Sequence, residues 1–156
     1  MKRQEKYPET TTFHFYNANP KGKITTDCVI RAICTALDMP YTTVLLEMAE
    51  QQCRTGLDMS EKKAIDKYLQ SKGWIKMSQP RKFDNTKYTG KEFCEELQQS
   101  TFTPFGEKLL TQDRGRRAKR IVANVGGHHV VAIVNGKIYD HWNSTDGSVG
   151  NYWIKL

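Results

Sequence analysis

Along this chain the spacing of hydrophobic positions changes from helical to strand-like. After Thr25-Thr26-Asp27, residue types that favour helix N-caps, comes CVIRAICTAL, with Val29, Ile33, Ala36 and Leu37 at helical intervals. This predicts a helix, stopped by Asp38-Met39-Pro40. A second helix is predicted from Thr42 or Thr43 through VLLEMAEQQC to Gly56, a suitable residue just past a helix end. A third runs from Ser60 to Gly73, with Ala64, Ile65, Tyr68 and Leu69 as its apolar stripe. Residues 74–79 read as a short strand, followed by a basic, proline-containing loop to Tyr88. Thr89-Gly90-Lys91-Glu92 fits a capping box, in which Thr caps and Glu reaches back, so 93–99 is predicted helical. Over 101–119 no element is read.

In the last third the period shortens. Residues 121–125, 129–134, 137–142 and 152–155 are rich in β-branched and aromatic side chains and read as strands. Asn135-Gly136 between two of them is a strong hairpin signal, because both turn residues need positive φ. Helices first and an antiparallel sheet afterwards predict an α+β fold, whereas a doubly wound parallel fold would alternate them. Residues 1–12 read as a flexible polar N-terminal arm and 13–156 as one domain, which suits the chain's 156 residues.

The longest apolar run, VVAIV at 130–134, is too short to span a bilayer. The opening MKRQEKYPETTT lacks the apolar stretch of a secretory signal, so a cytoplasmic location is expected. Twenty-four Lys and Arg against seventeen Asp and Glu leave a net charge of +7, which suits an acidic partner without requiring one. Arg114, Arg116, Arg117, Lys119 and Arg120 concentrate that charge in one stretch, a candidate surface for an acidic substrate or partner. A nucleic acid is the lesser expectation, because zinc-finger, RNP-type and basic-zipper patterns are absent. The four cysteines include no CxxC pair, so neither a disulfide scaffold nor a metal site is expected, and nothing implies a cofactor.

Counting outward from Asn135-Gly136 pairs Val134 with Lys137, Ile133 with Ile138, Ala132 with Tyr139, Val131 with Asp140, Val130 with His141 and His129 with Trp142. His129, Val131 and Ile133 then share a face with Trp142, Asp140 and Ile138, and Asp140 is the diagonal neighbour of His129. His128, on the other face, would instead meet Asn143 and is the alternative base. Either way a His stands beside an Asp or Asn, which orients an imidazole and supports its charge. Trp142 is expected to pack over the pair. Cys28, directly after Asp27, opens the first helix, where unpaired amides and the positive dipole end favour a thiolate. Cys34, Cys53 and Cys94 lie inside helices and read as packing.

TTDCVIRAICTAL followed by GGHHVVAIVNGKIYDHWNSTDG resembles the papain-like cysteine peptidase superfamily in chain order. There a Cys opens a buried helix, a His begins a sheet strand, and an Asp or Asn follows on the next strand. NANPKG, DC-x-x-RA, the PRK…TKYT loop and H-x-x-A…G-x-x-x-D-x-W also resemble small papain-like proteins of phages and Gram-positive bacteria, in which case the cytoplasm is that of the host. The resemblance covers about residues 13–156 and implies a papain-like fold with Cys28 as nucleophile, His129 as base and Asp140 as orienter. It implies hydrolysis of a peptide or isopeptide bond in a peptide or protein substrate. The same three residues would serve a thiol-dependent transferase or deamidase, and a catalytically inactive, basic binding or inhibitor protein is the rival. Where papain-like enzymes commonly carry an oxyanion-donating Gln ahead of the Cys, this chain has Gly22, leaving Asn19 or Asn17 as candidates. Asn143 is a second candidate orienter.

Overall fold

Residues 1–99 and 119–155 are described by a computed structural model. Its elements in chain order are α1 (Arg3–Lys6), β1 (Phe13–Phe15), α2 (Cys28–Leu37), α3 (Tyr41–Thr55), α4 (Lys62–Ser71), β2 (Trp74–Met77), α5 (Gly90–Gln98), β3 (Arg120–Val125), β4 (His129–Val134), β5 (Lys137–Asp140) and β6 (Val149–Lys155). The strands form one six-stranded sheet in the order β1-β5-β4-β3-β6-β2. All neighbours are antiparallel except β1 and β5, which run parallel.

Because strand side chains alternate, the sheet has two apolar faces and each must be covered. Val122, Val130, Ala132 and Trp153 face α2, α3 and α4, packing with Ile33, Val44, Met48, Ile65 and Leu69. Ile121, Ala123, Val131, Ile133, Ile138 and Tyr152 face the other way, toward Phe93 and Cys94 of α5. Each such large aliphatic or aromatic side chain contributes about 1.5–3 kcal/mol by leaving water. The fold is α+β, with N-terminal helices packed on a mostly antiparallel sheet whose centre is C-terminal. Helix ends follow local chemistry. Gly56 closes α3 at φ 73°, and Thr89 accepts the Glu92 amide at 3.2 Å while Glu92 accepts the Thr89 amide at 3.1 Å.

Several expectations change. The sheet's two edges come from earlier in the chain, since β1 and β2 flank the C-terminal hairpins. The expected N-terminal arm carries α1 and is tied down by Arg3, whose Nε donates to the His141 carbonyl at 2.7 Å. Cys53 is exposed on α3 rather than packed. Asp27 precedes α2 but its side chain makes no capping bond; it is spent on longer-range partners described below. The hairpin turn is as expected, with φ 50° at Asn135 and 76° at Gly136, and its first three pairs hold. The ladder then stops: β5 ends at Asp140, not residue 142, because Asp140 Oδ1 takes the His141 amide at 2.8 Å and diverts it from β4.

Among the described residues no single helix is long and apolar enough to cross a membrane; α2 and α3 pass only as a pair bent by 119°. Arg114, Arg116 and Arg117 lie outside the described residues.

Candidate active site

The first intrahelical bond of α2 runs from the Arg31 amide to the Asp27 carbonyl at 3.0 Å, so the Cys28 amide lies ahead of the helical ladder. Cys28 is half-buried at this end. β4 approaches it, bringing the His129 side chain and the Val130 amide near enough to the Cys28 thiol to favour its charged form. A three-residue turn makes this approach. Gly126 and Gly127, at φ 67° and 88°, reverse the chain so that Val125 pairs with His129. His128 remains in the exposed turn.

His129 Nε2 lies 2.5 Å from Asp140 Oδ2, leaving Nδ1 as the ring atom for the thiol. Val131, Ile133 and Ile138 share the α5 face as expected, but His129 and Asp140 sit at strand ends where strict alternation has lapsed, and both reach the first turns of α2. Trp142 lies against the imidazole with ring centroids 4.9 Å apart and a 41° tilt. Asp140 is 1% exposed, and its Oδ1 accepts Arg31 Nη1 at 2.6 Å as well as the His141 amide.

The charges reinforce one another. Burial pushes the Cys28 thiol up, but hydrogen bonds from His129 and the Val130 amide, with the charges of His129 and Arg31, hold it below its usual range. Burial opposes the imidazolium too, yet Asp140 and the thiolate raise His129 to about 9. Against its own burial, Asp140 is held below the usual carboxylate range by His129 and Arg31. The lowered thiol and the raised imidazole both favour a thiolate–imidazolium pair over the neutral pair, the chemistry of a nucleophile beside an acid. Burial drives the other way elsewhere: Cys34 is raised, and Cys94 is pushed up to about 12.

Cys28, His129, Asp140 and Trp142 are thus brought together, while the remaining expected residues are not. Asn19 donates to Asp27 Oδ2 at 3.0 Å and accepts the Lys21 amide at 2.9 Å, so its side chain is committed beside the helix rather than offered to an oxyanion. Asn17 donates to the Lys23 carbonyl at 3.1 Å. Asn143 Oδ1 folds back onto Thr145, accepting its amide at 3.0 Å and its hydroxyl at 2.6 Å, and the side chain that meets the imidazole is that of Asp140. Lys119 and Arg120 line a different pocket of about 370 Å³, with Lys72, Lys155 and the apolar Leu37, Met39 and Trp74, at the opposite end of α2 from Cys28.

Sequence reasoning passed over Arg31 and Tyr41. Arg31 is buried, with Nε 2.8 Å from Asp27 Oδ1; Tyr41 donates its hydroxyl to Asp27 Oδ2 at 2.6 Å. A signal for Arg31 was present: it is the one charged residue in a mostly apolar helix, four positions after an Asp. For Tyr41, at the start of a separate helix, local sequence held none. Among the described residues no group of three or more His, Cys, Asp or Glu is arranged to hold a metal ion.

No family model, curated protein or solved structure matches this chain, so the site is read from its own geometry.

Proposed function

We propose that this protein is a papain-like cysteine hydrolase that cleaves a peptide or isopeptide bond through Cys28, His129 and Asp140. The observation that carries the reading is the imidazole of His129 held between the Cys28 thiol and Asp140 Oδ2, at the amide-rich end of a helix. The Cys28 thiolate attacks the substrate carbonyl, and the oxyanion forms beside the Cys28 amide. His129 delivers its proton to the departing amine, leaving a thioester. It then takes a proton from water, whose oxygen attacks the thioester, and returns that proton to the thiolate as the acid departs. Asp140 keeps Nδ1 aimed at sulfur throughout, and Trp142 shields the His–Asp pair. An amine reaching the thioester in place of water would make the same site a transferase.

The test is the rate of Cys28 alkylation by iodoacetamide against pH, read by peptide mass spectrometry in wild type and His129→Ala, followed by hydrolysis of a peptide library with Cys28→Ala as control. A fast plateau extending below about pH 6 that is lost in His129→Ala, with cleavage absent from Cys28→Ala, is the expected result. Slow alkylation that rises only near pH 8.5 in both proteins would overturn the reading. The pocket lined by Lys72, Lys119, Arg120 and Lys155 favours a second one, a binder of acidic partners, which that outcome would leave standing.

A further inference from the structure

Two carboxylates flank the proposed nucleophile, and one guanidinium serves both. Asp27 is the chain neighbour of Cys28; Asp140 lies behind His129. Arg31 Nε is 2.8 Å from Asp27 Oδ1 and Arg31 Nη1 is 2.6 Å from Asp140 Oδ1, with its side chain only 6% exposed. The other Asp27 oxygen takes the Tyr41 hydroxyl and the Asn19 amide. Asp140 Oδ2 is left to His129. The planar fork of Arg supplies two directed donors from one buried group, which the point charge of Lys does not.

We propose that Arg31 is a positioning residue of this site: it locks Asp140 onto the imidazole and neutralises Asp27, so that no unpaired carboxylate stands beside the thiolate. The proposal rests on the Cys28–His129 reading above. The charged and titratable groups around the thiol are His129 from β4, Arg31 from α2, Asp27 just before it, Asp140 from β5, and His141 behind Asp140 with Arg3 of α1 against it. Without Arg31, a cation is lost near sulfur, the half-buried Asp27 loses its counterion and the buried Asp140 keeps only His129. These changes oppose the thiolate.

Alkylation of Cys28 against pH in Arg31→Met, Arg31→Lys and the double variant Asp27→Asn/Arg31→Met tests this, with folding checked by circular dichroism. Arg31→Met is expected to move the acidic limb up by about one pH unit or more, which is a tenfold slower reaction on that limb. Arg31→Lys should fall between it and wild type, and Asp27→Asn should recover part of the loss. A buried residue that served packing alone would change thermal stability but not the position of the limb. A folded Arg31→Met whose profile superimposes on wild type overturns the proposal while leaving the hydrolase reading intact, as does a double variant that recovers nothing. If Arg31→Met does not fold, Arg31→Lys decides the matter: a limb unshifted from wild type overturns the proposal and an upward shift supports it. An ordinary thiol in the wild type overturns both readings together.

Discussion

Asp140 suits the proposed site because a carboxylate only accepts hydrogen bonds. Its Oδ2 therefore demands a proton on His129 Nε2, and the neutral ring must present Nδ1 bare to the thiol. Asparagine breaks that logic. With its NH₂ toward Nε2 the ring proton moves to Nδ1 and the base is lost; with its carbonyl there, the NH₂ meets Arg31. Asp140→Asn also removes the negative charge that helps raise His129 to about 9. Under the proposed hydrolysis, Asp140→Asn is expected to lower turnover on the order of a thousandfold, and the acid plateau of Cys28 alkylation should disappear with it. Steady-state kinetics and the alkylation profile check the two effects separately. An unchanged plateau would mean that His129 is charged without Asp140.

The hairpin is the element that brings this pair into register. Asn135 and Gly136 both occupy the left-handed region, and Gly136 carries a further constraint from α5. A Cβ there would run into Gln98 Cγ and meet the Cys94 carbonyl at 3.2 Å. The Gln98 side chain is also held, donating to the Gly136 and Thr11 carbonyls at 2.7 Å each. Gly136→Ala thus combines backbone strain with a clash, and a loss of about 1–3 kcal/mol is expected. Urea unfolding should show a lower midpoint with an unchanged slope. A midpoint equal to wild type would mean that α5 is free to move away from the turn.

Across the whole molecule, the buried ionic cluster ties stability to pH. Burial raises Asp27 and Asp140, but Arg31 with Tyr41 in one case, and His129 with Arg31 in the other, hold both below the usual carboxylate range. Their contribution is full above about pH 4 and is lost as pH falls through their lower folded values. His141 adds to the same acid-side loss, since burial and the charges of Arg31 and Arg3 keep it neutral in the fold. His129 has the opposite sign: its contribution is full below its ordinary 6.5 and is lost as pH rises through about 9. The melting temperature is therefore expected to drop steeply below about pH 4, with a shallower drop in Asp140→Asn. Calorimetry across pH 2.5–7 would reveal it, and identical slopes in the two proteins would exclude Asp140 as a contributor.

What the sequence determined by itself was whatever depends on near neighbours. Helical spacing marked α2 to α4, Thr89 and Glu92 marked the start of α5, and Asn135-Gly136 set the hairpin whose register brings Asp140 near His129. Cys28 was singled out by its place at a helix start. Contacts between distant segments had no such signature. Neither the pairing of β1 with β5 nor the anchoring of the first residues by Arg3 left a local trace, because each is decided by which surfaces remain uncovered after the core packs. The same holds for Asp27 and Asn19, which sequence assigned to a cap and to an oxyanion. The tertiary structure turns Asp27 toward Arg31 and Asn19 toward Asp27, because a guanidinium buried between helix and sheet must find carboxylates and those carboxylates must find donors. Propensity acts over a few residues, whereas charge balance in a dry interior is settled only when the whole chain has closed around it.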